Sequence, residues 1–243
     1  MQRLALAAAF ANAASDADLV GCIPPFLASP GLAVVERAHA EEEEEEADPE
    51  WVRGASGGYD MYMVRGPIAS RIRPALWLGR GEFALRPELL HAAGVTHVLT
   101  VANDTPDVEA AMRRRVAAGE LGYLCMGVGD FGTDEGITRV FGAAFDWIDR
   151  AVAAGGVVFV HCANGSNRSP TLVLGYMMHL GYTLDGALRH VLAKRPHIQP
   201  LPDNLAALGR CAGMGLMDLD ELRQEFQGLK RDAKRVWKRL NAL

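Results

Sequence analysis

Cysteine is scarce in this sequence: Cys22, Cys125, Cys162 and Cys211 are the whole complement, and no two form a CxxC pair. That spacing excludes a zinc site built on paired thiolates and supplies no disulfide framework, so neither a metal nor a cofactor is expected. Reduced thiols imply a reducing compartment, cytoplasmic or nuclear. An excess of positive charge is also missing. Lys and Arg total 25 against 30 Asp and Glu, a net charge of −5, which argues against a general nucleic-acid binder with its basic face. No apolar run approaches the ~20 residues that cross a bilayer, so a soluble protein with no membrane partner is expected. What remains is 243 residues, 49% hydrophobic and 23% charged, enough for one globular domain with appendages.

Residues 1–66 lack a periodic apolar face. They open with "MQRLALAAAFANAAS", where one Arg, an apolar run and the triplet Ala11-Asn12-Ala13 imitate a secretory leader. An alanine-rich helix or unstructured start is the preferred reading. "EEEEEEADPE" follows, a like-charge block that repels itself and resists packing. This segment is expected to be mostly disordered, with an acidic docking tail as the alternative.

From Arg71 the texture changes. "ALWLG" reads as a short strand and "EFALRPELLHAAG" as one helix closed by Gly94. "VTHVLTVA" is a β-branched apolar strand, "PDVEAAMRRRVAAGE" is helical, and "YLCMGV" is a strand. "GITRVFGAAFDWIDRAVAAGG" is an amphipathic helix, and "VVFVHC" is a strand apolar on both faces. Alternating strands and helices predict an α/β fold, a central mostly parallel sheet flanked by helices. Ligands in such folds sit beyond the carboxyl ends of the strands, and Cys162 lies at such an end.

Between Cys162 and Arg168 stand Ala163, Asn164, Gly165, Ser166 and Asn167, none bulky or charged. The backbone can curl there, and a helix begins near Ser169-Pro170, with Pro suited to a first turn. Loop N–H groups and the helix N-terminus together form a cradle for a dianionic oxyanion. Arg168 adds a planar fork that matches two phosphate oxygens at once. A field of this kind lowers a thiol from ~8.5 to roughly 3.5–7.5, giving a thiolate that attacks phosphorus in line. Ser169 can donate a hydrogen bond to the sulfur and help it leave. His161 is better placed to orient the cysteine backbone than to act as a base.

Phosphoester cleavage also needs a general acid for the leaving oxygen. "YLCMGVGDFGTDEG" carries Asp130 on a glycine-flanked loop directly after a strand, at the same sheet edge as Cys162. Asp134 in the same loop is the second candidate. Asp130 is preferred because it stands nearer the strand end, and the glycines allow the loop to close over a substrate.

"HCANGSNRSP" resembles the Cys-x5-Arg signature of protein tyrosine phosphatases, specifically the dual-specificity branch. The likeness extends to "RIRPALWLGRGEFA", "LLHAAGVTHVLTVAND", "YLCMGVGD" and "SPTLVLGYMMHLGYTLDGALRHVLAKRPHIQP", roughly residues 67–213. The resemblance implies a phosphotyrosine protein phosphatase-like fold and hydrolysis of phosphotyrosine and phosphoserine or phosphothreonine on protein substrates. It maps the nucleophile to Cys162, the phosphate-binding arginine to Arg168, the hydroxyl after it to Ser169 and the general acid to Asp130. Two departures stand out. Asn167 replaces the serine common before the arginine, and "QPLPDNL" is longer than the usual proline-asparagine turn. Both bear on substrate preference and neither removes a catalytic group.

A rhodanese-like sulfurtransferase is the alternative enzyme, since it also uses a thiolate in an anion-binding loop but needs no acid. A phosphate-binding pseudophosphatase or scaffold is the non-enzyme alternative, although it usually lacks the cysteine or arginine. The lack of Lys or Arg in the loop besides Arg168 argues against a polyphosphoinositide substrate. Cys125 reads as a small core residue, Cys22 and Cys211 show no partner chemistry, and Tyr176, Met177 and Met178 read as core. Residues 214–243 form a third part. Leu219, Leu222, Phe226, Leu229, Ala233, Val236 and Leu240 make an apolar seam with a basic second half of Lys230, Arg231, Lys234, Arg235, Lys238 and Arg239. This helix either packs on its own domain, forms a short coiled coil, or meets an acidic partner such as the chain's own glutamate run.

Overall fold

The computed structural model of the protein describes residues 67–103, 105–130 and 136–240. The N-terminal segment 1–66 and the second acid candidate, Asp134, lie outside these residues. Five strands form one sheet: β1 (Ala69–Arg73), β2 (Leu76–Arg80), β3 (His97–Val101), β4 (Gly122–Met126) and β5 (Val158–Cys162). Their order across the sheet is β1-β2-β5-β3-β4. Only the β1–β2 pair is antiparallel; β2–β5, β5–β3 and β3–β4 are parallel. The expected α/β architecture with a largely parallel sheet is the one observed.

Strand alternation sorts side chains to the two faces. Leu76, Leu78, Leu99, Val101, Val158 and Val160 face one core, while Trp77, Val98 and Phe159 face the other. Every residue of the central strand β5 is buried, which explains its uninterrupted apolar run.

The second core is closed by α1 (Gly81–Ala84), α2 (Pro87–Ala92) and α3 (Pro106–Ala117). The first is closed by α4 (Phe141–Ala153), α5 (Arg168–His179), α6 (Leu184–Lys194), α7 (Pro202–Cys211) and α8 (Leu216–Leu240). Tyr176 and Met177 are buried in it, and Met178 packs against it half-buried.

Three details differ from the sequence pattern. The helix expected over 82–94 is two short helices, because Pro87 starts a new first turn and holds Arg86 out of the helical region. Gly94 does close the second one, at φ 65°, and the Val95 amide reaches back to the Leu90 carbonyl. Strand β1 has no counterpart in the pattern, since its arginines Arg71 and Arg73 blur the alternation on an edge strand. The helix expected over 136–156 begins as a 3₁₀ turn at Ile137–Val140.

The terminal helix packs on its own domain along the stretch from Leu222 to Ala233. Leu222 and Phe226 are core residues, with Leu229 and Ala233 against them, whereas Val236 and Leu240 are exposed. Among the described residues, no helix is long and apolar enough to cross a membrane.

Candidate active site

The parallel strands deliver their carboxyl ends to one edge of the sheet. Arg80 closes β2 in register with Cys162 at the end of β5, and Asp130 follows β4 by four residues.

The loop from Ala163 to Asn167 curls around Cys162 because its carbonyls are engaged on the outside. Ala163 O accepts from the Gly81 amide at 3.1 Å, Gly165 O from Arg195 Nε at 3.0 Å, and Ser166 O from the Gln199 amide at 2.5 Å. In a trans peptide the next N–H points the opposite way, so the amides of Asn164, Ser166 and Asn167 turn inward. Gly165 sits at φ 60°, and a Cβ there would lie 2.3 Å from Gly79 O, so the loop rests directly on the end of β2.

Cys162 is buried, and its Sγ accepts a hydrogen bond from Ser169 Oγ at 3.2 Å. His161 is fully buried one residue earlier. Its Nδ1 lies 3.1 Å from the Cys162 carbonyl and its Nε2 2.8 Å from Thr100 Oγ1. A carbonyl only accepts, so Nδ1 carries the proton and Nε2 takes one from the threonine. Burial pushes the imidazole down to about 4, against a smaller upward pull from the Cys162 carbonyl bond. His161 is thus a neutral brace for the cysteine backbone.

Arg168 is the first residue of α5 and is 1% exposed. One terminal nitrogen donates to the Val128 carbonyl at 3.1 Å, and the other lies 3.2 Å from Asp130 Oδ2. Asp130 therefore meets Arg168 at the mouth of the cradle. Its second oxygen accepts from Asn167 Nδ2 at 2.7 Å.

Asn167 is the N-cap of α5, yet its side chain makes no cap bond, although asparagine is a strong capping residue. Its Oδ1 instead accepts from the Leu201 amide at 2.8 Å and from Asn204 Nδ2 at 2.9 Å. The Leu201 N–H can only donate, which fixes the amide orientation and makes Nδ2 the group facing Asp130. Asn167 and "QPLPDNL", separate departures in the sequence, are thus joined to each other and to Asp130.

Thr100, Arg195 and Asn204 were not legible as site residues. Arg195 is fully buried, and besides Gly165 O it reaches Pro67 O at 2.9 Å and Ser70 Oγ at 3.4 Å. Burial draws its guanidinium down to about 10, still charged at neutral pH. Its only sequence signal is a position before Pro196 in a connecting loop. Cys125 stands apart in edge strand β4, half-buried, its Sγ 3.7 Å from the Ala102 carbonyl, and burial pushes its thiol up.

The catalytic domain family of dual specificity phosphatases matches residues 76–209, more than half of the chain. The chain belongs to that family. Dual specificity protein phosphatase 1 of Arabidopsis thaliana is 36% identical over 134 residues, covering 55% of this chain and 63% of the relative. Human dual specificity protein phosphatase 1 is 34% identical over 141 residues, covering 58% and 35% respectively. The chain thus spans less than two thirds of the length of these relatives.

Among solved structures, human DUSP28 aligns with a TM-score of 0.53 at 28% identity, covering 60% of this chain and 94% of its own. A mouse putative dual specificity phosphatase complexed with zinc tungstate aligns with a TM-score of 0.53 at 27% identity, covering 64% and 93%. The family region holds Cys162, Arg168, Asp130, Asn167 and Arg195 but ends before helix α8.

Proposed function

We propose that this dual specificity phosphatase family member is a protein phosphatase acting on phosphotyrosine and on phosphoserine or phosphothreonine through a cysteinyl-phosphate intermediate. The observation that carries this reading is the convergence of Cys162, Ser169, Arg168 and Asp130 on one loop, with Ser169 Oγ 3.2 Å from Sγ and Asp130 3.2 Å from Arg168.

In the first step the inward amides and Arg168 hold the phosphoryl oxygens while the Cys162 thiolate attacks phosphorus in line. Asp130 gives its proton to the departing ester oxygen. In the second step a water attacks the cysteinyl phosphate, the Asp130 carboxylate takes the water's proton, and Ser169 stabilises the departing sulfur. His161 orients the nucleophile, its one proton engaged by the Cys162 carbonyl.

An acid facing the cradle favours phosphoester hydrolysis over rhodanese-type sulfur transfer, and the presence of both Cys162 and Arg168 speaks against a pseudophosphatase. The role of the protein is then in signalling, in a cytoplasmic or nuclear compartment that keeps the thiol reduced.

Cys162→Ser tests the mechanism. Aryl phosphate turnover should vanish while binding of tungstate, a tetrahedral oxyanion, survives, because the cradle is backbone and Arg168. Arg168→Lys should damage both binding and rate, since a point charge cannot reproduce a planar fork. Substantial turnover by the serine variant, or thiosulfate turnover exceeding that of aryl phosphate, would overturn the reading.

A further inference from the structure

Helix α8 lies outside the region shared with the family, yet it is tied to the loop that braces the cradle. That loop, residues 195–199, follows α6 and leads into α7. It holds two neighbouring cradle carbonyls: Arg195 Nε donates to Gly165 O at 3.0 Å, and the Gln199 amide donates to Ser166 O at 2.5 Å. α8 in turn grips the same loop at two points. Lys230 Nζ donates to Gln199 Oε1. Two turns on, Trp237 meets His197 edge to face, ring centres 5.2 Å apart.

Lys230 is 7% exposed. Among the described residues its ammonium meets one hydrogen-bond acceptor, Gln199 Oε1, and one ring, Phe226, whose centre lies 5.8 Å away. Burial first, and then Lys234, draw it down to about 8, which leaves it charged at neutral pH. A buried ammonium that loses its acceptor bears the full desolvation penalty, so Lys230 fixes where the Gln199 side chain lies. Gln199 itself is exposed, and burial does not position it. Burial and, after it, Lys234 and the other nearby cations hold His197 at about 4, so it packs on Trp237 as a neutral ring.

Ser166 O and the Asn167 N–H belong to one trans peptide and point opposite ways. Holding the carbonyl outward therefore aims the Asn167 N–H at an oxyanion in the cradle. A loosely held carbonyl lets that plane rotate, and a donor turned out of line weakens steeply. The Asn167 side chain is pinned separately, by Leu201 N and Asn204 Nδ2, so its hold on Asp130 does not depend on Gln199.

We propose that Lys230 and Trp237 are positioning residues for the phosphate cradle. From α8 they fix the loop 195–199, which holds Ser166 O outward and keeps the Asn167 N–H aimed at the phosphoryl oxygens. This rests on the phosphatase reading above, and it makes α8 part of the catalytic unit.

The test uses the full chain and inorganic tungstate as the oxyanion, titrated without turnover. Lys230→Met removes the donor and keeps an apolar stem against Phe226. It should weaken tungstate binding about fivefold, a part of what a hydrogen bond from a charged group contributes. Its urea midpoint should hold or rise, because a buried charge gives way to an apolar side chain and exposed Gln199 can turn to water. A merely structural role would lower affinity and stability together. Gln199→Leu keeps the backbone amide but leaves the buried ammonium without an acceptor, so it should lower both. Adding Lys230→Met to it should restore the midpoint but not the affinity, with no loss beyond the larger single one. Trp237→Leu should weaken tungstate binding by about twofold, the lower end of an edge-to-face aromatic contact.

On substrates, kcat/KM of Lys230→Met should fall alike for an activated aryl phosphate and a phosphoserine peptide, since both present the same phosphoryl oxygens. Arg231→Gln, at the exposed next position, removes the same charge from α8 and should change neither binding nor rate. The loss in Lys230→Met should also persist at high salt, which screens a general field.

Unchanged tungstate affinity in Lys230→Met or Trp237→Leu, an equal loss in Arg231→Gln, or additive losses in the double variant would overturn the proposal. So would a loss confined to the poor leaving group, which would place the effect at Asp130. A wild type that binds tungstate but turns over no aryl phosphate would instead remove the phosphatase reading, with the brace still decided by the binding series.

Discussion

Asn167 holds Asp130 in place: its Nδ2 donates to Asp130 Oδ1 at 2.7 Å, while its Oδ1 is pinned by Leu201 N and Asn204 Nδ2. The carboxylate is thereby coupled to the start of α7, two hydrogen bonds away. Asn167→Ala should lower turnover of phosphoserine peptides by about tenfold, a fraction of what a positioned general acid supplies. It should act less on an activated aryl phosphate, whose leaving group departs nearly unaided. Asn204→Ala should reproduce the same leaving-group dependence at smaller amplitude. Equal losses on both substrate types would mean that Asn167 only supports the loop.

The choice between the two aspartates is tested in the same way. Asp130→Asn should cost about 10²–10⁴-fold on phosphopeptides and markedly less on an activated aryl phosphate. Asp134→Asn should change little on either. If Asp134→Asn alone carried the leaving-group-dependent loss, the acid would be Asp134.

Close approach of the cradle to β2 makes Gly165 sensitive. Its Cβ would fall 2.3 Å from Gly79 O and 2.8 Å from the Arg195 side-chain Nη2, at φ 60°, and the Gly79 backbone cannot yield without moving the sheet end. Gly165→Ala should destabilise the protein by roughly 3 kcal/mol in urea unfolding. Gly181→Ala, at φ 95° with nothing within 4 Å, carries only the backbone term, roughly 1 kcal/mol. Comparable midpoints for the two variants would show that the cradle relaxes more easily than its contacts imply.

His161 should give the fold a specific acid sensitivity. Burial holds its imidazole at about 4, while the unfolded group titrates near ~6.5. Between these values the unfolded chain takes up a proton that the folded chain refuses. The contribution is therefore fully present above ~6.5 and lost as pH falls toward 4, by roughly 3 kcal/mol. His161→Asn, whose amide can still donate to the Cys162 carbonyl, should flatten unfolding free energy against pH in that window. An unchanged slope would show that His161 is not the group responsible.

The chemistry-bearing loop was legible because it is contiguous. An apolar strand, Cys162, five small residues, Arg168 and Ser169 follow one another in the chain, and the strand-loop-helix alternation around them is a local pattern. Asp130 was legible for a related reason, since parallel strands bring successive loops to one edge. Pro87 marked its helix break plainly enough, but the apolar spacing across it reads as one helix until φ restriction is weighed against periodicity.

The supports of the site were not legible, because each joins residues far apart in the chain. Thr100 meets His161 across 61 positions, Arg195 meets Gly165 across 30, and Lys230 meets Gln199 across 31. Periodicity reports which face of an element is buried; it carries no information on which distant polar group answers a buried one. The sequence by itself therefore determined the layers of the fold, the cradle and the residue types of its chemistry. Only the tertiary structure decided what holds Asp130, what braces the cradle and where the basic half of α8 comes to rest, because those depend on the packing of helices and loops from opposite ends of the domain.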